Sequence, residues 1–214
     1  GEKTPPSRVL VPVENVVYKC IRVDKNEDMG WKKYLANTLV FSIFSLVGLT
    51  AILMLQGFLP FNPEGLPGQS WHLAFNTASS FDTNTNWQSY SGESSLSYFS
   101  QAIGLTVQNF VTPAVGIAVL FALFRGLVSE GHLGLGIFFV DVTRAVLFIL
   151  IPLSLVVTMI DVWQGSPQNL NDYESVQLLE PVGVDEEGNT VDADDPAAVE
   201  TVDEATVPMG PQAS

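Results

Sequence analysis

Three long apolar stretches divide the chain, and the polar segments between them differ in kind. No charged residue occurs from Tyr34 to Pro63. Within that run, 36–56 (ANTLVFSIFSLVGLTAILMLQ) reaches about 30 Å as a helix, the thickness of a bilayer's hydrocarbon core. A second uncharged run, Ser94 to Phe124, predicts a helix over 97–124. Its Gly104, Pro113 and Gly116 suit close packing or a kink inside a membrane. A third run covers 135–163, with Asp141 and Arg144 near its start and Asp161 near its end. A Pro/Gly-rich link (FLPFNPEGLPGQS) follows the first run, and Pro60, Pro63 and Pro67 stop helix continuation there. Residues 71–82 (WHLAFNTASSFD) then predict a short helix of about 18 Å, too short to cross.

Composition agrees with a membrane reading: 47% of residues are hydrophobic, 15% are charged, and the mean hydropathy is +0.27. Seven of the nine Lys and Arg lie in 1–33, so the positive-inside rule makes that segment cytoplasmic. Three crossings then put 57–96 outside, return 125–134 (with Arg125 and His132) to the cytoplasm, and leave 164–214 outside. That tail holds twelve acids, among them Asp185, Glu186, Glu187, Asp194 and Asp195, and no Lys or Arg. Its composition predicts a mobile acidic extracellular loop, either a solvated insertion or a cation-attracting vestibule.

The net charge of −14 excludes a general nucleic-acid binder. A lone Cys20 excludes a disulfide framework or a multi-Cys metal site. His72 and His132 have no ligating neighbours in sequence, and GHLGLG (131–136) follows no strand, so it reads as a turn rather than a nucleotide fingerprint. Asp141 and Arg144, three apart, share a helix face and are expected to pair. Opening on Gly1 and ending at Ser214 without a finishing element, the chain reads as an excerpt of a longer one.

The informative feature is the order of parts: full helix, link, half-length helix, polar turn, full helix. A half-length helix must dip and return or lie at the surface, and re-entrant backbone is tolerated only where protein or water covers it. A cation entering a membrane needs oxygens to replace its hydration shell, and backbone carbonyls supply them in potassium filters. The C-terminal end of a half-helix adds partial negative charge. The helix over 71–82 aims that end at Thr83, Asn84, Thr85 and Asn86. Thr and Asn hold unusual backbone locally, including the left-handed region Asn tolerates, while Trp87 is placed to wedge the turn against a neighbouring helix. A Thr/Asn run in isolation is more often a surface turn; only the short helix and the two spanning helices around it put the filter reading level with that one.

The segment SSFDTNTNWQSYSGESSLSYFSQAIGLTVQNFVTPAVGIAV (79–119) resembles the potassium-transporting ATPase A chain family of the Kdp complex. The resemblance continues in PVENVVYKCIRVD (12–24), GWKKYLANTLVF (30–41), QGFLPFNPEGLPG (56–68), VDVTRAVLFILIPLSL (140–155) and VPMGPQAS (207–214). It implies an all-α membrane protein built from helix–pore helix–filter–helix repeats of the potassium-channel-like type. One complete repeat would occupy 34–124: spanning helices 36–56 and 97–124, pore helix 71–82 and filter 83–87. The loop 125–134 and the helix 135–163 opening the second repeat would follow. It further implies potassium held by Asn84, Thr85 and Asn86 together with Thr83, with Gln88 just behind them tuning affinity. Asp82, Trp87 and Glu93 are, by their position beside the turn, expected to support it, Glu93 either by holding the loop or by facing the vestibule. The partners implied are a P-type ATPase subunit that alone uses ATP, small accessory membrane subunits and the lipid bilayer of a bacterial or archaeal cell membrane. Neither an aspartyl-phosphate motif nor a GxxxxGK[ST] loop is present, so this chain would not hydrolyse ATP itself.

Three positions depart from the family pattern. Asp82 stands where the family has Val, Ile137 where it has Asn, and the acidic 166–205 stretch is longer. Two other readings remain at this point. A stand-alone channel or symporter of the same superfamily would carry Gly-centred filter text instead of TNTN. A membrane anchor or receptor would leave the half-helix unexplained.

Overall fold

Helix α1 (Ser7–Ile21) opens the chain, although the polar 1–33 segment carries no strong helical signal and has Pro12 inside the helix. This computed structural model describes residues 7–25, 28–128, 134–165, 169–184, 190–192, 199–207 and 209–210. His132, the first half of the GHLGLG string, and the acidic residues Asp185, Glu186, Glu187, Asp194 and Asp195 lie outside them. After α1 come α2 (Trp31–Leu55), a 3-10 turn at Gln56–Phe58, α3 (Trp71–Asp82) and the single turn α4 (Gly92–Ser95). A π-helical stretch, Ser100–Thr106, leads into α5 (Val107–Val128); α6 (Phe138–Arg144) joins α7 (Ile151–Trp163) through a second, Ala145–Leu150.

Among the described residues, three helical runs are long and apolar enough to span a bilayer: Trp31–Phe58, Ser100–Val128 and Phe138–Trp163. At 26–29 residues each exceeds the roughly 20 that a hydrocarbon core requires. This is a membrane protein. The interruption before α7 has a local cause: Pro152 stands in that helix's first turn, lacks an N–H, and forces the preceding turn to widen.

Lipid is as apolar as leucine, so helices in it associate by close packing of small residues rather than by expelling water. The chain follows that rule twice. Ala74 and Ala78 on α3 pack with Leu49, Leu53, Phe81, Leu96 and Leu105. Ala114, Ala118 and Ala122 on α5 bring α6 close, with Tyr34, Phe138, Val142 and Ala145. Gly104 is used similarly, since a Cβ there would meet Leu49 Cδ1 at 3.1 Å, whereas Gly116 faces open space. Ile137 joins Tyr18, Met29 and Val140 in a third apolar cluster, which accounts for its side chain being apolar.

Among the described residues, ion pairs of Arg125 and of Arg144 fasten the α1–α6 end of the bundle, and neither is the expected Asp141–Arg144 pair. Asp141 is gripped by Arg125 of α5 (2.6 Å), and Arg144 turns instead to Glu14 of α1 (2.7 Å). Three-residue spacing brings two side chains onto one helix face, but Asp141 is buried against α5 and also accepts from Tyr34 Oη. The tertiary neighbour wins.

The fold is not all-α, and the tail is not wholly irregular. Strands β1 (Glu174–Val184), β2 (Thr190–Asp192) and β3 (Glu200–Val207) form an antiparallel sheet in the order β2-β1-β3. Glu174 pairs with Val207 and Val184 with Glu200, with a register shift between Gln177 and Val182. The β-branched residues Val176, Val182, Val184, Thr201, Val202, Thr206 and Val207 favour strands even where little apolar surface is buried. The sheet is also moored: the Tyr98 and Tyr173 rings stack at 5.6 Å, and Tyr98 Oη donates to the Asn171 carbonyl and accepts from Met209 N–H.

Candidate functional site

Helix α3 ends in a turn that folds back on the helix itself. Its buried face, Ala74, Thr77, Ala78, Ser80 and Phe81, lies against α2 and the start of the α5 run. The Thr83 N–H donates to the Ser79 carbonyl (3.1 Å) and the Asn84 N–H to that of Phe81 (3.2 Å). The N–H groups of Thr85 and Asn86 both reach the Ser80 carbonyl, at 2.9 and 3.2 Å. Trp87 N–H donates to Ser80 Oγ at 2.6 Å. Five successive amides are thus drawn to one helical turn.

The carbonyls must then face the other way. A trans peptide is planar, with its N–H and C=O antiparallel, and no peptide here is cis. Each inward N–H therefore turns the preceding carbonyl away from α3, for Asp82, Thr83, Asn84, Thr85 and Asn86 in turn. The reversal needs left-handed backbone at Asn84 (φ 58°) and Asn86 (φ 57°), a conformation that costs most L-residues about 1–2 kcal/mol and Asn less. The alternation Thr-Asn-Thr-Asn is the chemical answer to that requirement. The outward carbonyls add to the partial negative charge at the end of α3, so the arrangement presents oxygen to a cation.

Side chains brace the turn. Thr83 Oγ1 donates to the Ser79 carbonyl at 2.9 Å and lies 3.1 Å from Thr85 Oγ1. Asn84 Oδ1 accepts from Thr112 Oγ1 of α5 at 3.4 Å, and the neighbouring Gln108 Nε2 reaches Ser45 Oγ of α2. Asp82 is half-buried at the helix end. Trp87 is 59% exposed, and its backbone N–H is the one held by Ser80 Oγ. Gln88 is half-buried, its Nε2 without a partner among the described residues. The recorded bonds of Glu93 go elsewhere: its carboxylate accepts from Ser91 Oγ, which holds its pKa below the usual value, and its carbonyl accepts from Tyr173 Oη at 2.7 Å.

Two further residues carry the site and escape sequence reasoning. Ser80 anchors three of the five amides. Gln56, fully buried, ends α2 by donating to the Pro67 and Ser95 carbonyls and accepting from Ser97 N–H and Ser100 Oγ. It thereby ties α2, the link and the π-helical start of the α5 run together around α3. Its only sequence signal is being polar at the end of an apolar run. A cleft of about 280 Å³ at the other end of the bundle, beside Lys25, Asp28, Arg125, Asp141 and Arg144, belongs to the ion pairs.

The family model described as the potassium-transporting ATPase A subunit, KdpA, matches residues 1–214. The chain belongs to the KdpA family. A potassium-transporting ATPase potassium-binding subunit of Clostridium botulinum (strain Alaska E43 / Type E3) is 56% identical over all of this chain and 35% of its own length. Proteins of the same description from Desulfovibrio desulfuricans and Pseudomonas putida are 55% and 46% identical, again over 100% of the chain and 35% and 34% of theirs. This KdpA-family chain thus spans about a third of the length of the curated relatives it matches.

Proposed function

We propose that the chain is the first potassium-selecting portion of an ATP-driven potassium uptake pump. In this reading α2, α3, the TNTN turn and α5 form one complete helix–pore helix–filter–helix repeat, and α6–α7 open the next. Potassium, the transported substrate, loses its hydration shell to the carbonyls of Thr83, Asn84, Thr85 and Asn86. Like loops from the rest of the protein complete the ring, since one turn supplies only part of a coordination shell. The observation that carries the reading is the set of outward carbonyls enforced by five inward amides. Family membership supports it independently.

Hydrolysis of ATP belongs to a P-type ATPase partner, with small accessory subunits attending in the bilayer. The basic 1–33 segment lies on the cytoplasmic side and 164–214 on the outer side of a cell membrane, in keeping with the distribution of Lys and Arg. The test is potassium-dependent growth of a transporter-deficient host expressing the full-length subunit with its partners. Replacing Asn86 abolishes rescue; rescue that survives disruption of the whole 83–86 turn overturns the assignment.

A further inference from the structure

We infer that Ser80 is the positioning residue that fixes which face of the TNTN turn meets the ion. The inference rests on the filter reading above and adds a residue to it. Ser80 is buried in the last turn of α3 and uses two different oxygens. Its carbonyl holds the amides of Thr85 and Asn86, with Thr83 Oγ1 beside them at 3.2 Å. Any residue in helical backbone offers that carbonyl. The hydroxyl is another matter: Oγ accepts from Trp87 N–H at 2.6 Å, and only a side chain with an acceptor one bond beyond Cβ does this.

The bond to Trp87 is the last of the series and governs the peptide between Asn86 and Trp87. While it holds, the Asn86 carbonyl faces outward. Without it no other acceptor among the described residues keeps that N–H inward, and rotation of the peptide plane replaces a carbonyl oxygen with an N–H on the ion-facing side. An N–H repels a cation where a carbonyl attracts it. Asn86 sits at φ 57°, a conformation that Asn tolerates better than other L-residues but that still leaves the following peptide to be fixed by its hydrogen bond. Trp87 itself is mostly exposed, so packing of its ring offers little to take the place of the bond. Ser80 accordingly sets potassium affinity and discrimination without touching the ion.

The experiment compares Ser80→Ala and Ser80→Thr in the full-length subunit within its assembled complex. It measures potassium-stimulated uptake, normalised to complex recovered from the membrane, with rubidium as the competing ion. Ser80→Ala is expected to raise half-saturating potassium about tenfold, equivalent to about 1.4 kcal/mol. Its maximal rate stays near that of the unaltered protein, and its preference for potassium over rubidium changes. Ser80→Thr, which keeps the hydroxyl, restores both values. Unaltered affinity and selectivity in Ser80→Ala overturns the inference. So does equal damage by both substitutions, which marks a packing role, or a loss of maximal rate alone. If Ser80→Ala does not assemble, Ser80→Cys, a weak acceptor of similar size, is read against the same outcomes. Asn86 replacement runs in parallel: if it abolishes uptake while Ser80→Ala is silent, only the role of Ser80 falls, and if both are silent the filter reading falls with it.

Discussion

Arg125 closes on Asp141 with both guanidinium nitrogens, Nη1 to Oδ2 at 2.6 Å and Nη2 to Oδ1 at 2.8 Å, and so joins the end of α5 to the first turn of α6. Tyr34 Oη adds a bond to the same carboxylate from α2. Three helices meet at one buried charge. Removing one partner of a fully buried pair costs about 3–5 kcal/mol. Because Arg125 is 41% exposed, Arg125→Gln is expected to cost about 1–3 kcal/mol. Arg125→Lys should recover little of this, since an ammonium cannot match the two-pronged geometry. Thermal unfolding of the purified protein measures both, and an unchanged midpoint for Arg125→Gln would deny the pair a structural role.

Asp82 places a carboxylate at the end of α3, where the helix dipole already disfavours negative charge. No ion pair to it is recorded among the described residues. On the filter reading it draws cations toward the outward carbonyls. Asp82→Asn should raise half-saturating potassium several-fold, with the difference shrinking as ionic strength rises. Uptake kinetics indistinguishable from the parent at low salt would remove Asp82 from the ion's path.

Glu14 gives α1 a pH response. Burial pushes its pKa up, but the hydrogen bond from Tyr18 and the pair with Arg144 outweigh burial and leave it lowered. A carboxylate depressed in the folded state contributes stability above its unfolded pKa and loses it as pH falls through the folded value. Docking of α1 should therefore be unchanged near neutrality and weaken on acidification from the usual carboxylate pKa downward. Proteolysis of the α1–α2 connection against pH reads this, and Glu14→Gln should flatten the curve. An identical acid response in Glu14→Gln would assign the titration to another group.

The sheet depends on its tether. Tyr173→Phe removes the bond to the Glu93 carbonyl but keeps the stack on Tyr98, a loss of about 1 kcal/mol. Tyr98→Ala removes the stack and two hydrogen bonds together. Amide exchange in β1 and β3 should rise modestly in the first variant and strongly in the second. Equal exchange in all three proteins would mean that strand pairing alone orders the sheet.

The apolar runs are legible in sequence because a spanning helix needs little beyond continuous hydrophobicity, which local composition records. The turn is legible too, since left-handed backbone at Asn84 and Asn86 calls for the residue type found there. What sequence conceals is tertiary choice. Spacing offers Asp141 a partner in Arg144, but Arg125 reaches it across the helix interface and Glu14 takes Arg144. Acidic composition suggests an unstructured tail, while Tyr98 and Tyr173, 75 positions apart in sequence, moor a sheet whose strands bury little. Ser80 looks like one more small polar residue of α3 until the amides that converge on it are seen.

The claim at the centre of this account is that main-chain oxygens of 83–86 replace water around potassium. Its most direct test is an ion-resolved structure of the full-length complex, determined in potassium and again in rubidium. The account predicts cation density in contact with the carbonyls of Thr83, Asn84, Thr85 and Asn86, on the side opposite Ser80. Cation density contacting only side chains, or none beside this turn, would contradict it.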